Sequence, residues 1–158
     1  MKKKMIIIGG GISGIYLSIL LKKYLDIDVV VLEANDKPLK KLLATGNGRC
    51  NLSNKDLDKA HYDGDIKPWV NDIIHDFDIV EALKDIGLYT KYMGNLLYPY
   101  SESAKAVQTL FINRAEEYGV KIICDEEVLS IKKSKYGYFI HAAHQDYQAD
   151  YVTIACGT

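Results

Sequence analysis

Cysteine is scarce in this chain. The three residues, Cys50, Cys124 and Cys156, are odd in number, far apart and without a CxxC pair, which excludes a disulfide framework and a zinc site of ordinary spacing. A reducing cytoplasm is therefore the expected compartment. Long apolar runs are missing as well. No stretch approaches the roughly 20 residues of a membrane-spanning helix, and the run after Met1-Lys2-Lys3-Lys4 stops in glycines, without the sequel of a secretory signal. Net charge is almost absent, at −1, so no global field recruits nucleic acid or a membrane surface, and neither is expected as a partner. His61, His75, His141 and His144 share no metal-ligand spacing on a common element, so no metal is expected and the histidines are expected to face solvent.

What is present is a globular composition, 48% hydrophobic and 26% charged over 158 residues, enough for one domain that buries roughly two-thirds of its unfolded surface. The most informative stretch is MIIIGGGISG, residues 5–14. Met5 to Ile8 is short and β-branched, as a parallel strand covered on both faces would be. Gly9 permits a tight turn, Gly11 lets the backbone approach a pyrophosphate, and Gly14 lets the following helix sit close to the strand. Ile12, Ile15, Tyr16, Ile19 and Leu20 give that helix its apolar stripe, and its N-terminus offers free N–H groups and a positive dipole end to an anion. Ser13 is a tolerated small residue of the loop. Glu33, nineteen residues past Gly14, closes a second apolar run, IDVVVLE. There a carboxylate accepts the hydroxyls of an adenosine ribose and repels a 2′-phosphate. These residues together predict a dinucleotide-binding βαβ unit.

Asn35 to Asn54 breaks the alternation of a plain Rossmann domain. Thr45-Gly46-Asn47-Gly48-Arg49-Cys50-Asn51 packs glycines, amides, a hydroxyl and a guanidinium into one short loop. Such groups suit a flat heteroatom-rich ring or a phosphate, and they equally suit a surface turn. GGGISG, Glu33, KKLLATGNGRCNLSN and YPYSESAKAV together resemble the N-terminal part of the BaiN/RdsA-type NAD(P)/FAD-dependent oxidoreductases, the aminoacetone oxidase-like FAD-binding flavoproteins. Members of that family bind FAD, and some act on steroid enones or small amines. The resemblance implies that Gly9, Gly11, Ile12, Ser13, Gly14, Glu33 and Ala34 hold the ADP half of FAD. It also implies that Lys41, Thr45, Gly46, Gly48, Arg49, Cys50 and Asn51 lie along the cofactor toward its ring.

The stretch from His61 to Gly119 reads mainly as helix. Trp69, Ile73 and Ile74 form an apolar stripe after Pro68; Asp78 and Glu81 make a capping-box-like start and Gly87 a stop. Tyr89, Tyr92, Tyr98 and Tyr100 cluster between helices and suit a core or, less often, a cleft. Ser101 is the expected cap of a helix running through Ala104, Val107, Leu110, Phe111 and Ala115 to Gly119. Val120 to Cys124 then reads as a buried strand, Glu127–Lys133 and Tyr136–Ala142 as a hairpin, and Tyr151–Ala155 as a return strand. By resemblance, that order is the crossover of glutathione-reductase-type FAD domains, with the antiparallel meander covering one sheet face. Val128 then meets the adenine, and Ala155 and Gly157 approach the cofactor, although the family usually has Thr at position 156 and Gly at 158.

The expected fold is thus α/β: a Rossmann-like FAD-binding domain of the glutathione-reductase type with a helical insertion and a small antiparallel β-meander. Its segments are a βαβ unit with the Gly/Arg loop (1–54), a helical segment (55–119), and the strand, meander and return strand (120–158). Relatives run well past this length, so the reading is of one incomplete, truncated domain, with self-association through surfaces left open. No second GxGxxG marks a nicotinamide domain, and no residue pair qualifies as general acid and base. Three functions stay open: the FAD-binding portion of an oxidoreductase, with NAD(P)H as a transient electron donor and the substrate unknown; a non-catalytic or weakly binding dinucleotide-binding fragment; and a small NAD-dependent dehydrogenase.

Overall fold

The structure, a computed structural model, describes residues 2–57, 70, 73, 74 and 76–157. It divides into two compact units, one made of Met1–Leu42 with Phe111–Thr158 and one of Leu43–Leu110. Pro68, Trp69, His61 and His75 lie outside the described residues.

The first unit is built on a four-stranded sheet. Strand β1 (Lys3–Ile8) leads into helix α1 (Ile12–Tyr24) and strand β2 (Ile27–Leu32). Later come β6 (Lys121–Ile123), β7 (Val128–Ser134), β8 (Gly137–Ala142), β9 (Asp146–Ala149) and β10 (Tyr151–Ile154). The order β10-β1-β2-β6 is parallel throughout, with Ile6 opposite Val30 on one side and Val152 on the other. Residues of period two divide the sheet's two faces. Ile6, Ile8, Val30 and Leu32 pack against Ile140, Ala142, Tyr147 and Ala149 of the antiparallel β7-β8-β9 meander. Ile7, Val29 and Val31 are left for the opposite face, where Ile7 meets α1 beside Gly14. The meander therefore covers one face, as expected, and β9 is the strand the sequence reading left unassigned. Both sheet faces are covered, which is why β1 and β2 read as unbroken apolar runs.

The second unit carries a small sheet, β3 (Ser53–Asn54), β5 (Leu96–Pro99) and β4 (Thr90–Met93), in the order β3-β5-β4. The tyrosine-rich segment is thus largely a hairpin within the stretch read as helical, turning at Gly94 with φ 60°. Tyr98 is buried while Tyr89, Tyr92 and Tyr100 are exposed. Helix α2 (Ile79–Asp85) starts on Asp78, whose carboxylate accepts the N–H groups of Val80 and Glu81, a cap of about 1 kcal/mol. Glu81 itself pairs with Lys84 at 3.0 Å. Helix α3 (Ala104–Glu117) is capped differently from expectation. Ser103 Oγ accepts the Ala106 N–H at 3.2 Å, so the cap is Ser103 and not Ser101, because the chain turns through Glu102 at φ 45° first. Gly119, at φ 76°, ends α3 as expected, with the Val120 N–H reaching back to Ala115 O at 2.8 Å. Among the described residues, no helix is long and apolar enough to cross a membrane.

Candidate functional site

The strand order reverses about β1, so the carboxyl ends of β1 and its neighbours border the crevice where open α/β sheets bind ligands. Gly9 stands at that end with φ 107°, and a Cβ there would lie 2.6 Å from Ala155 O. Only glycine fits, because β10 ends against the same turn: the Ala155 N–H donates to Ile8 O at 2.7 Å and the Gly9 N–H to Leu32 O at 2.8 Å. Gly14 is the closest approach of all. Its Cβ would sit 2.1 Å from Gly9 O and 3.2 Å from Ile7 Cγ2. Gly11, by contrast, has open space, with only Ala155 O at 4.0 Å, as a backbone facing a ligand would.

Helix α1 begins on Gly11 with no side-chain cap bond and no acidic residue in its first turn, while Lys22 and Lys23 sit in its last. Its N-terminal N–H groups keep their positive end for an anion, and the side chains of Ile12 and Ser13 are exposed. This donor set and the Cβ-free cradle fit a pyrophosphate.

Glu33 follows β2 and is 8% exposed. Its Oε2 accepts the Gly10 N–H at 2.7 Å, and its Oε1 accepts the main-chain N–H of Asn35 at 2.8 Å and the Asn35 side-chain amide. Neither Gly10 nor Asn35 was singled out by sequence reading. Gly10 is wedged between Glu33 and Pro38, each within 3.2 Å of its would-be Cβ, and only the run of three glycines hinted at it. Ala34 beside Glu33 is exposed. The main chain brings the meander's entry alongside: the Glu126 N–H donates to Glu33 O and the Asp125 N–H to Asn35 O, both at 2.9 Å. Val128, half-buried, opens β7 two residues further on. Gly157, at φ 67°, follows Ala155 past the end of β10.

Glu126 fastens this entry. The His144 N–H donates to its carboxylate at 2.9 Å, and this bond, with lesser help from Tyr147 and the Gln145 N–H, holds the carboxyl below its usual range despite burial. A depressed carboxyl contributes stability that is complete above the unfolded value of about 4.3 and is lost as pH falls through the folded one. Glu126→Gln should therefore lower stability at neutral pH and flatten its fall below about pH 4.3. Urea midpoints measured from pH 3 to 7 check this; parallel curves for the two proteins would refute it.

The Thr45–Asn51 loop belongs to the second unit, and Lys41, exposed, to the first. Lys41–Gly48 forms a 3-10 stretch interrupted by extended Thr45 and then left-handed Gly46 (φ 54°) and Asn47 (φ 55°). Gly48 and Cys50 are left-handed too, at 81° and 65°. A run of such residues selects Gly and Asn, so much of the TGNGRCN signature is backbone geometry. The Cys50 N–H donates to Thr45 O at 3.1 Å, and a Cβ on Gly46 would sit 2.7 Å from the Asn51 N. Cys50 is fully buried; burial pushes its thiol up, against a weaker opposing bond with Thr45. It fills the loop's core as an inert thiol. Arg49 lies 5.1 Å over the Tyr98 ring and 3.9 Å from Glu102. Asn51 is exposed. Glu102 binds Lys91 at 2.5 Å, and this lysine, with a smaller effect of Arg49, lowers its carboxyl. His141 and His144 are exposed, and no cluster of metal-ligating residues occurs among the described residues.

The profile of the HI0933-like protein Rossmann domain matches residues 3–158. The chain belongs to this family. The family is that of the BaiN/RdsA-type FAD-dependent oxidoreductases. The 3-dehydro-bile acid delta(4,6)-reductase of Clostridium scindens is 38% identical over 155 residues, 96% of this chain and 38% of that protein. A ribosomal RNA dihydrouridine synthase of Haemophilus influenzae is 29% identical over 133 residues, 81% of this chain and 32% of its own length. This HI0933-like chain therefore spans about a third of the curated relatives it matches. Among solved structures, BexE superposes with a TM-score of 0.63 at 17% identity, over 99% of this chain and 32% of that one, a likeness of fold. The Rossmann-like α/β architecture is thus shared well beyond the family.

Proposed function

We propose that this chain is the FAD-holding portion of a flavoprotein oxidoreductase. The ADP half lies on the Gly9–Gly14 turn, its pyrophosphate at the N-terminus of α1 and its ribose on Glu33. The observation that carries the reading is the pairing of an uncapped helix end with a buried carboxylate at the end of the neighbouring strand. Gly11, Ile12, Ser13 and Gly14 supply main-chain N–H groups to the phosphates, Ala34 and Val128 flank the adenosine, and Ala155 and Gly157 border the turn. Lys41, Thr45, Gly46, Gly48, Arg49, Cys50 and Asn51 are assigned toward the flavin on family resemblance alone. Bound there, the flavin supplies hydride-transfer chemistry, with NAD(P)H as transient donor. The three cysteines, all free, suit a reducing cytoplasm.

Reconstitution tests this. Purified protein mixed with FAD and desalted should keep a flavin absorption band, and NADPH in a stopped-flow mixer should bleach it. Loss of all flavin on desalting, with no heat on titration, would defeat the cofactor assignment; retention without bleaching would leave a dinucleotide-binding module. Preference for NAD over FAD in calorimetry would favour a nicotinamide dehydrogenase.

Self-association is the further expectation. Strand β10 pairs on one side only among the described residues, and its Tyr151 and Ile154 are 48% and 69% exposed. Open apolar strand edges pair with other chains. Light scattering should show species larger than 17.8 kDa; a stable monomer at high concentration would contradict it.

A further inference from the structure

A carboxylate offers about four lone-pair positions, two on each oxygen. Three of those on Glu33 are taken among the described residues. Oε1 holds two donors, both from Asn35, at 2.8 Å from its main chain and 2.5 Å from its side-chain amide. Oε2 holds one, the Gly10 N–H at 2.7 Å. Oε1 is therefore full, and Oε2 has a single position left.

The donors differ in how firmly they are held. Gly10 is fixed by the Leu39 N–H, which donates to its carbonyl at 2.8 Å, and the Asn35 main chain by the Asp125 N–H at 2.9 Å. Only the Asn35 amide hangs on rotatable bonds, and the residue is exposed. A ribose presents two adjacent hydroxyls. One finds the open position on Oε2. The other meets an oxygen already satisfied, and exchanging one donor for another there gains almost nothing.

We propose that Asn35 sets the ribose selectivity of this site: its amide closes Oε1, so that Glu33 recognises one ribose hydroxyl in place of two. The proposal rests on the reading of Glu33 as the ribose carboxylate. It makes Asn35 a positioning residue that acts through Glu33.

The test is calorimetric titration with ADP, 2′-deoxy-ADP and 3′-deoxy-ADP. In the wild type, one deoxy analogue should bind about tenfold more weakly than ADP and the other within about twofold, since only one hydroxyl bonds the charged acceptor. In Asn35→Ala, which keeps both main-chain bonds, Oε1 gains an open position, and both analogues should bind about tenfold more weakly than ADP. Asn35→Ser serves as the second variant, with circular dichroism to verify folding. Equal losses for both analogues in the wild type, or an unchanged pattern in the variants, overturn the assignment of Asn35 while leaving the ribose site intact. Failure of ADP and FAD to bind the wild type, or unaltered ADP binding by Glu33→Ala, overturns the ribose site and the proposal with it.

Discussion

Glu33→Ala should weaken FAD binding by about a hundredfold, because a hydrogen bond to a charged acceptor contributes about 1.5–3 kcal/mol and its loss also frees the loop that positions the phosphate turn. The second effect follows from the structure. The carboxylate proposed for the ribose also accepts the Gly10 N–H inside the glycine turn, so removing it leaves a buried donor unpaired next to the site. Glu33→Gln tests the same contacts with the side-chain volume kept. An amide keeps an acceptor but replaces the other oxygen with a donor, which faces either Gly10 or Asn35 and repels that N–H. Both variants should therefore bind FAD poorly, and Glu33→Ala should also lose stability by about 1–3 kcal/mol from the orphaned N–H. Flavin fluorescence titration and urea unfolding check the two parts. A change of less than about threefold in FAD affinity for Glu33→Ala would show that the carboxylate does not face the ribose.

Gly14→Ala should be more damaging to the fold than to any ligand contact. The added Cβ would stand 2.1 Å from Gly9 O, well inside van der Waals contact, and the obstacle is main chain that cannot rotate away. Helix α1 would have to lift off β1, opening the packing of Ile15 and Ile19, both fully buried. Overpacking at a main-chain contact costs about 3 kcal/mol or more, a large part of the 5–15 kcal/mol that holds an ordinary domain together. The expected outcome is a fall of 10 °C or more in melting temperature, about what such a loss does to a domain of this size, or an insoluble product. A melting temperature within about 2 °C of the wild type would mean that α1 sits further from β1 than these distances require.

Much of this was legible in the chain before its structure. β1, α1 and β2 follow from unbroken apolar runs and a glycine turn, because strands covered on both faces and a helix pressed on one of them leave those marks. The Asp78 cap and the Gly87 and Gly119 stops were legible because caps and left-handed ends are local chemistry. The meander was legible in part: the hairpin shows in period-two alternation, but β9, Asp146–Ala149, reads DYQA and lacks the β-branched residues that mark β10, YVTI. The β4–β5 hairpin hid inside a stretch otherwise read as helical, since tyrosines suit either state and only pairing between strands decides. Ser103 displaced Ser101 as a cap because Glu102 takes a left-handed turn that no local rule foretells.

The candidate site divides the same way. Gly9, Gly14 and Glu33 were legible because their spacing is dictated by the length of one strand, one helix and one strand. Gly10 was not, because what marks it is a carboxylate arriving from another part of the chain, and Asn35 was not, because the turn of its amide back onto Glu33, two residues earlier, is a choice of rotamer. By itself the sequence determined the frame of the candidate site, a glycine turn between strand and helix followed by a strand-end carboxylate, since those demands act on residues near one another along the chain. Only the tertiary structure decided that the Gly10 N–H reaches that carboxylate, that Glu126 joins the Glu33 main chain and that Ala155 closes on the Gly9 turn, because contacts between distant segments arise from packing and leave no periodic trace.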